Sequence, residues 1–203
     1  MAESIIQVTS AGATKLHTYN RTIGANSVED EVVLLGENYL ATYTMVATSV
    51  TTTALSHLIQ VMAGASLKVR IRRITVYQTV AVTAAAYMEL AILRLTTAGT
   101  GGTAVTAVQL DPSDGASGAT GISIPGVKGT EGNPIWFGSA YLMQTVGAST
   151  PQNQPIFDID FDRSRSKPLI IAAGVTNGIC LRNTAAHAGA TVRINVLFDE
   201  SNF

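Results

Sequence analysis

The chain has 203 residues, a length that suits one domain, or one domain with an additional arm. Hydrophobic residues make up 46% of it and the formal net charge is −1, which excludes a disordered polyelectrolyte and argues against non-specific nucleic-acid binding, because that binding needs a basic surface. Charged residues are only 13%, against roughly 25% in ordinary globular domains, so either neighbouring subunits cover part of the surface or it is a threonine-rich β surface.

The N-terminal segment is more polar and less regular than the rest of the chain. It predicts an irregular arm or docking segment over residues 1–35, followed by a β-sandwich domain over 36–203. Within the arm, "VEDEVVLLG" follows Ser27. Ser27 is placed to cap a short helix with acidic residues in its first turn and Gly36 at its end.

The next segments alternate as β-strands do. "NYLATYTMVATSV" is rich in β-branched and aromatic residues, and "ALSHLIQVM" predicts a strand that pairs with "LKVRIRR" across the turn "AGAS". Apolar residues alternate from Leu67 to Ile71, and the phase then slips to Ile74. This slip predicts a β-bulge near Arg72 and Arg73.

The segment Ala84–Leu95, "AAAYMELAILRL", is apolar on every side. Its residues have high helix propensity. Periodicity does not separate a buried helix from a buried strand here, so the residues alone leave both open.

The second half of the chain contains two clear strands. "PIFDIDFD" places Phe157 and Phe161 on one face, and "TVRINVLFD" alternates from Val192 to Phe198. Further strands are predicted over residues 103–110, 121–125, 141–146, 169–172 and 179–182. About ten short strands, separated by Gly, Pro, Asp and Ser turns and without alternating amphipathic helices, predict an all-β, antiparallel, jelly-roll-like β-sandwich.

Two turn-rich motifs resemble ligand loops only superficially. "AGTGGTAV" has no lysine for a phosphate loop, and Ala104 stands where a dinucleotide fingerprint needs a third glycine. We interpret it as a connector between strands. "DPSDG", from Asp111 to Gly115, is typical of a turn because Asp bonds its own backbone and Pro fixes φ.

Asp158, Asp160 and Asp162 recur at every second residue, so a strand would place three carboxylates in one row. Clustered oxygens are what calcium prefers, which makes the row a cation candidate. The pattern departs from a calcium-binding loop at Arg163, where glycine is required, and Arg163 and Arg165 are placed to neutralise the row. We therefore expect a solvated or interface face, with no bound metal and no cofactor.

Arg70, Arg72 and Arg73 form a small basic cluster. Two interpretations remain open: an exposed strand face paired with carboxylates, or a contact with an acidic partner surface. We regard these arginines, together with Trp136, as candidate interface residues.

Aromatic residues gather in "NPIWFGSAYLM". Trp136, Phe137 and Tyr141 are either core or interface residues, or they stack on a sugar as in lectin-like sandwiches.

No catalytic motif is present. His17, His57 and His187 have no metal-ligand spacing, and no local motif supports a nucleophile relay with Cys180. Since Cys180 is the only cysteine, no disulfide forms within the chain, which fits folding in a reducing cytoplasm. No run of about 18 apolar residues predicts a membrane span.

One stretch resembles a known class of proteins. "VRIRRITVYQ" followed by "ELAILRLTTAGTGGTAVTAVQLDPSDGASGATG", within Val69–Gly121, resembles virion structural proteins of tailed bacteriophages, in which an arginine-bearing strand leads to a second strand, a glycine-rich connector and an "LDPSD" turn. The resemblance covers roughly a quarter of the chain. It implies that Ala84–Leu95 is a strand, and that the β-sandwich is a subunit of the particle. It supplies no catalytic residues.

The expected function is therefore that of a phage head decoration or cement protein, not an enzyme, located in the virion and assembled in the host cytoplasm. Its partners would be the major capsid protein or other virion proteins, with no nucleic acid and no membrane. The resemblance implies a symmetric homo-oligomer and favours a homotrimer. The alternative is a carbohydrate-binding β-sandwich, lectin-like or associated with a tail fibre, in which Trp136 and the aspartates bind the sugar.

Overall fold

The computed structural model describes residues 40–84, 86–144, 155–162, 168–184 and 190–201, together with the backbone of 3–8, 14–23 and 26–31. The chain divides into two compact units, Met1–Tyr39 and Leu40–Phe203. The division lies four residues beyond the predicted boundary between 35 and 36.

The first unit contains a three-stranded antiparallel sheet in the order β1-β2-β3. Its strands are β1 (Glu3–Val8), β2 (Thr14–Ile23) and β3 (Asn26–Glu31). The prediction of an irregular arm is therefore wrong for these residues, and so is the helix begun by Ser27, which pairs with Thr22 in the β2–β3 ladder. Only two residues join β2 to β3, a length typical of hairpins, and this pairing overrides the local capping signal. The rest of the predicted helix, 32–36, lies outside the described residues.

The second unit is all-β. Its strands are β4 (Thr42–Thr51), β5 (His57–Met62), β6 (Lys68–Val80), β7 (Tyr87–Leu95), β8 (Thr103–Val105), β9 (Ala107–Gln109), β10 (Thr120–Ser123), β11 (Glu131–Tyr141), β12 (Pro155–Asp160), β13 (Leu169–Ile171), β14 (Gly178–Asn183) and β15 (Thr191–Ser201). Sheet I has the order β9-β4-β15-β6-β12, with β13 also paired to β6, and sheet II has the order β11-β7-β14-β5-β10-β8. The two antiparallel sheets pack together, which confirms the predicted β-sandwich.

The order of pairing is that of a jelly roll. Among the eight principal strands, the first pairs with the last (β4–β15), the second with the seventh (β5–β14), the third with the sixth (β6–β12) and the fourth with the fifth (β7–β11). Such a pattern is one long hairpin folded across two sheets. The short strands β8, β9 and β10 belong to the connection between β7 and β11 and extend the sheet edges beside β4 and β5.

Two strand predictions depended on unusual patterns, and both are confirmed. The pairing of β15 with β6 shifts from Leu197–Arg73 to Phe198–Ile71, so Arg72 is the extra residue of the predicted bulge. Tyr87–Leu95 forms a strand, as the resemblance implied. Its residues are apolar on both faces because one face joins the core and the other joins a second buried cluster that includes Leu93 and Cys180.

Three strand predictions are wrong. β5 does not pair with β6: it lies in sheet II between β10 and β14, and "AGAS" crosses from one sheet to the other. All six residues of β5 are buried, so it occupies a central position. The predicted strand 103–110 is split between β8 in sheet II and β9 in sheet I. The predicted strand 141–146 is displaced, because β11 ends at Tyr141 and 145–146 lie outside the described residues.

The core lies between the two sheets. Phe198, Met45 and Leu58 are fully buried there, and Phe198 stacks on Tyr43 with ring centroids 5.6 Å apart. The described part of the chain holds no helix long and apolar enough to cross a membrane.

Candidate functional site

On the outer face of sheet I, a buried carboxylate connects two of the predicted interface arginines. The Asp199 side chain is fully buried, and it accepts hydrogen bonds from Arg70 Nε at 3.0 Å and from Thr42 Oγ1 at 2.9 Å. Arg72 Nη1 lies 3.5 Å from the same carboxylate. These arginines therefore have acidic partners within the chain.

Two carboxylates of the predicted row, Asp158 and Asp162, are also paired with arginines of β6. Arg72 Nε donates to Asp162 Oδ2 at 2.6 Å, and Arg73 Nε donates to Asp158 Oδ1 at 2.6 Å. Asp160 Oδ1 accepts the backbone N–H of Asp162 at 2.9 Å. The hydrogen bond with Asp162 raises the pKa of Arg72, and that with Asp158 raises the pKa of Arg73. Charge on this face is thus compensated across neighbouring strands, which is the first of the two interpretations of the basic cluster.

Arg72 and Arg73 on β6 neutralise Asp162 and Asp158. Arg163 and Arg165, which were predicted to neutralise the row, lie outside the described residues. Within the described segments, no group of three His, Cys, Asp or Glu residues is arranged to hold a metal ion.

Calcium is therefore not expected to stabilise the protein. Asp158 and Asp162 already accept charge-assisted bonds, so a cation would have to displace two guanidinium groups. Thermal unfolding with calcium and with excess chelator should give the same melting temperature, because only a ligand that binds the native state raises it. A fall in chelator that calcium reverses, and that Asp158→Asn removes, would contradict this expectation.

The aromatic residues of β11 divide between the two faces of sheet II. Trp136 is partly buried against the core and meets Phe157 edge to face, with ring centroids 6.1 Å apart. Phe137 and Tyr141 lie on the outer face, and they are 60% and 87% exposed. Trp136 therefore packs inward, and its two neighbours are the accessible aromatic rings.

A shallow groove lies on the outer face of sheet II beside these rings. It has a volume of about 510 Å³, and its lining includes Phe137, Ser139, Glu89, Arg182 and Thr184. Thr184 Oγ1 donates to the Glu89 carboxylate at 3.2 Å. The groove thus combines one aromatic ring with several hydrogen-bonding groups.

A smaller depression adjoins the groove. It has a volume of about 280 Å³ and is lined in part by Tyr87 and Tyr141, which lie opposite each other on β7 and β11.

A polar network joins three elements of sheet II beneath this surface. His57 is fully buried; its Nε2 lies 2.6 Å from Glu131 Oε1 and its Nδ1 lies 2.6 Å from Gln60 Nε2. Gly99 N donates to Gln60 Oε1 at 2.7 Å, which turns the amide nitrogen of Gln60 towards His57. Nδ1 must then accept, so His57 is neutral and donates from Nε2 to Glu131. Arg182 Nη1 donates to the other Glu131 oxygen.

The pKa values agree with this assignment. Burial lowers the pKa of His57, and the hydrogen bond to Glu131 only partly opposes it. Burial raises the pKa of Glu131, but the bond from His57 and the charge of Arg182 outweigh it, so the net pKa is lowered. The pair is thus a neutral imidazole beside an ionised carboxylate.

The single cysteine is unsuited to nucleophilic chemistry. Cys180 is fully buried, and burial raises the pKa of its thiol to about 12, whereas a nucleophile needs the thiolate. His17 lies on β2 with its side chain undescribed, and His187 lies outside the described residues.

The glycine-rich segment 96–102 connects β7 to β8, as predicted. Thr100 N donates to Val127 O at 2.9 Å, and Thr100 O accepts in return from Val127 N at 3.0 Å. Gly101 has φ +71°, and an added Cβ at Gly102 would lie 2.4 Å from Ser123 O. The glycines therefore allow close backbone packing.

Gly102→Ala is expected to lower the free energy of unfolding by about 1–3 kcal/mol, because the new methyl group overlaps a backbone carbonyl that cannot move freely. Gly115→Ala is the matched control, since a Cβ there has no neighbour within 4 Å. Urea denaturation of both variants measures the difference. Equal stability of the two variants would show that the loop at Gly102 relaxes.

"DPSDG" forms the predicted turn. Asp111 Oδ1 accepts from Ser113 N at 2.9 Å, and Asp114 N donates to Asp111 O at 3.0 Å. The segment after this turn is held by Glu200, a residue that the sequence analysis did not identify. Glu200 accepts from Ala119 N at 2.7 Å.

Neither the scan against protein families nor the searches of curated proteins and of solved structures found a match for this chain.

Proposed function

We propose that this chain is a structural protein of a tailed-bacteriophage virion that decorates or cements the head through protein–protein contacts. The resemblance of Val69–Gly121 to such proteins supports the proposal. The jelly-roll order is compatible with it, since jelly rolls serve viral capsid domains as well as lectins.

The observation that supports a binding role best is the apolar surface of a chain with little charge. In the part of the chain that the structure describes, the large hydrophobic side chains that are at least 43% exposed are Val46, Leu55, Val80, Tyr87, Val108, Leu110, Val127, Ile135, Phe137, Tyr141 and Val175. Aromatic residues are enriched in protein interfaces, and three of these side chains, Tyr87, Phe137 and Tyr141, lie on the neighbouring strands β7 and β11. The proposed partners are the major capsid protein or other virion proteins, and the proposed role is mechanical rather than catalytic.

The test is the presence of the protein on particles of its source phage. Purified virions should contain it in many copies, and an antibody label should lie on the outside of the head in electron micrographs. Virions without the protein, or a label confined to the tail, would contradict the head-decoration proposal.

The second candidate function is carbohydrate binding, and the outer groove favours it. Phe137 offers a ring face, and Glu89, Ser139 and Arg182 offer hydrogen-bonding groups. Because Trp136 packs inward, Phe137→Ala is the informative variant. Glycan-array binding that Phe137→Ala abolishes and Val108→Ala retains would support this function over the virion proposal.

A further inference from the structure

The edge strands of the sandwich differ in how they resist pairing with another chain. β8 and β9 have three residues each, and β12 carries Asp158 and Asp160 beside the three-residue β13. β11 has eleven residues, and Glu131, its first, is the only charged one. Short strands, charges, prolines and bulges protect edges from association. Pro134 and two bulges interrupt the first half of β11. Among the described edge strands of the sandwich, the unprotected stretch is therefore 136–141, which pairs with β7 without a break and carries no charge.

The backbone direction along β11 follows from one hydrogen bond. Leu142 N donates to Ala86 O at 2.9 Å, on the side of β7. Because the direction alternates along an antiparallel strand, Phe137, Ser139 and Tyr141 turn their N–H and C=O groups away from β7, towards the open edge. No other strand of the described chain pairs with this edge.

The neighbouring strand gives the same alternation. Glu89 lies opposite Ser139, and its carbonyl accepts from Thr184 N at 2.8 Å on the far side of β7. Glu89 and Ser139 therefore do not share ladder bonds, which leaves the Ser139 backbone groups for a partner on the open side.

The side chains at this edge complement a second copy of themselves. If two β11 strands pair antiparallel about a two-fold axis at Ser139, each Phe137 lies opposite Tyr141 of the second copy. Both rings are exposed on the outer face, and aromatic cross-strand pairs stabilise sheets. No charged residue occurs from Gly132 to Gln144, so the pairing brings no like charges together.

We propose that the β11 edge is a self-association site, at which two copies of the chain pair antiparallel about Ser139 and join their two sheets II into one continuous sheet. A strand that complements this edge is extended and uncharged, with aromatic residues two positions before and two positions after a small residue. β11 itself has this pattern, so the partner is a second copy of the chain. The inference goes beyond the virion proposal and does not depend on it.

A cysteine on the axis tests the register. Ser139→Cys places two thiols opposite each other with Cα atoms about 5.5 Å apart, a separation that a disulfide spans. Mild oxidation should give a disulfide-linked dimer. Val108→Cys, exposed on the edge strand β9, is the control and should remain uncrosslinked. Cys180 does not compete because it is fully buried.

A charge on the axis tests the contact itself. Light scattering of the full chain at micromolar concentration should give twice the mass of one chain, or an even multiple. Ser139→Lys sets two like charges opposite each other, so it should halve that mass and raise the dissociation constant about tenfold or more. Val108→Lys should leave the mass unchanged. Circular dichroism checks that both variants are folded. A monomeric chain, the homotrimer that the resemblance favours, an assembly that Ser139→Lys leaves intact, or carbohydrate binding without self-association would overturn the proposal.

Discussion

Glu131→Leu should lower the free energy of unfolding by about 2–4 kcal/mol. Glu131 is the acceptor for two groups from other strands: the Nε2–H of fully buried His57 and the Nη1 of Arg182. Leucine leaves the imidazole donor without a partner and the guanidinium without its counter-charge. Urea denaturation followed by circular dichroism measures the loss, and Glu131→Gln, which keeps an acceptor oxygen, should lose less.

Glu89→Leu is the matched control. Its carboxylate lies on the same face of sheet II but is exposed, and it accepts a side-chain hydrogen bond from Thr184. The change should alter stability by no more than about 0.5 kcal/mol, as surface substitutions usually do. If both leucine variants lose the same free energy of unfolding, Glu131 does not stabilise the protein through the network around His57.

The same network makes stability depend on pH in a defined direction. The lowered pKa of His57 means that the unfolded chain binds this proton more readily than the folded chain, so the contribution is full above the ordinary value of 6.5 and falls as the pH drops below it. The lowered pKa of Glu131 adds a further loss below its ordinary value of 4.5. His57→Gln should flatten the first step.

The strands that sequence alternation predicted correctly have one buried and one open face. β12 and β15 expose every second residue at least in part along most of their length. The bulge at Arg72 could be predicted because the strand alternates on both sides of it. β5 and most of β7 are buried on both faces, so their periodicity is lost and their partners depend on the whole sheet order. β11 escaped prediction because Pro134 interrupts it at an edge, where a missing N–H is tolerated.

The candidate sites show the same division. A row of carboxylates and a basic cluster are visible in the sequence, but their pairing depends on the alignment of β12 with β6, and Asp199 comes from the far end of the chain. Successive residues of β11 face opposite sides of the sheet, so Trp136 packs inward and Phe137 outward. The bulges around Pro134 determine which residues take each side. Glu131 is separated from His57 by 74 residues, so no local motif reveals their contact.

Removing residues 1–39 should abolish binding to particles that lack the protein, while leaving the sandwich folded. The chain divides at Tyr39, and the jelly-roll pairs all lie within Leu40–Phe203. The sheet β1–β3, taken by itself, has two edge strands, and such edges bind extended segments of other chains. Incubating stripped particles with full-length or truncated protein, followed by sedimentation, measures the bound copies.

Circular dichroism and urea denaturation of the truncated chain separate loss of binding from loss of folding. If the truncated protein is folded and decorates particles as well as the full chain does, residues 1–39 are not the capsid-contacting segment, and the contact belongs to the sandwich. A peptide of residues 1–39 that competes with the full chain for stripped particles would place the contact in the first unit directly. If the full chain itself does not bind to particles, the virion proposal is wrong. The carbohydrate-binding proposal, with its site in the outer groove beside Phe137, then takes its place.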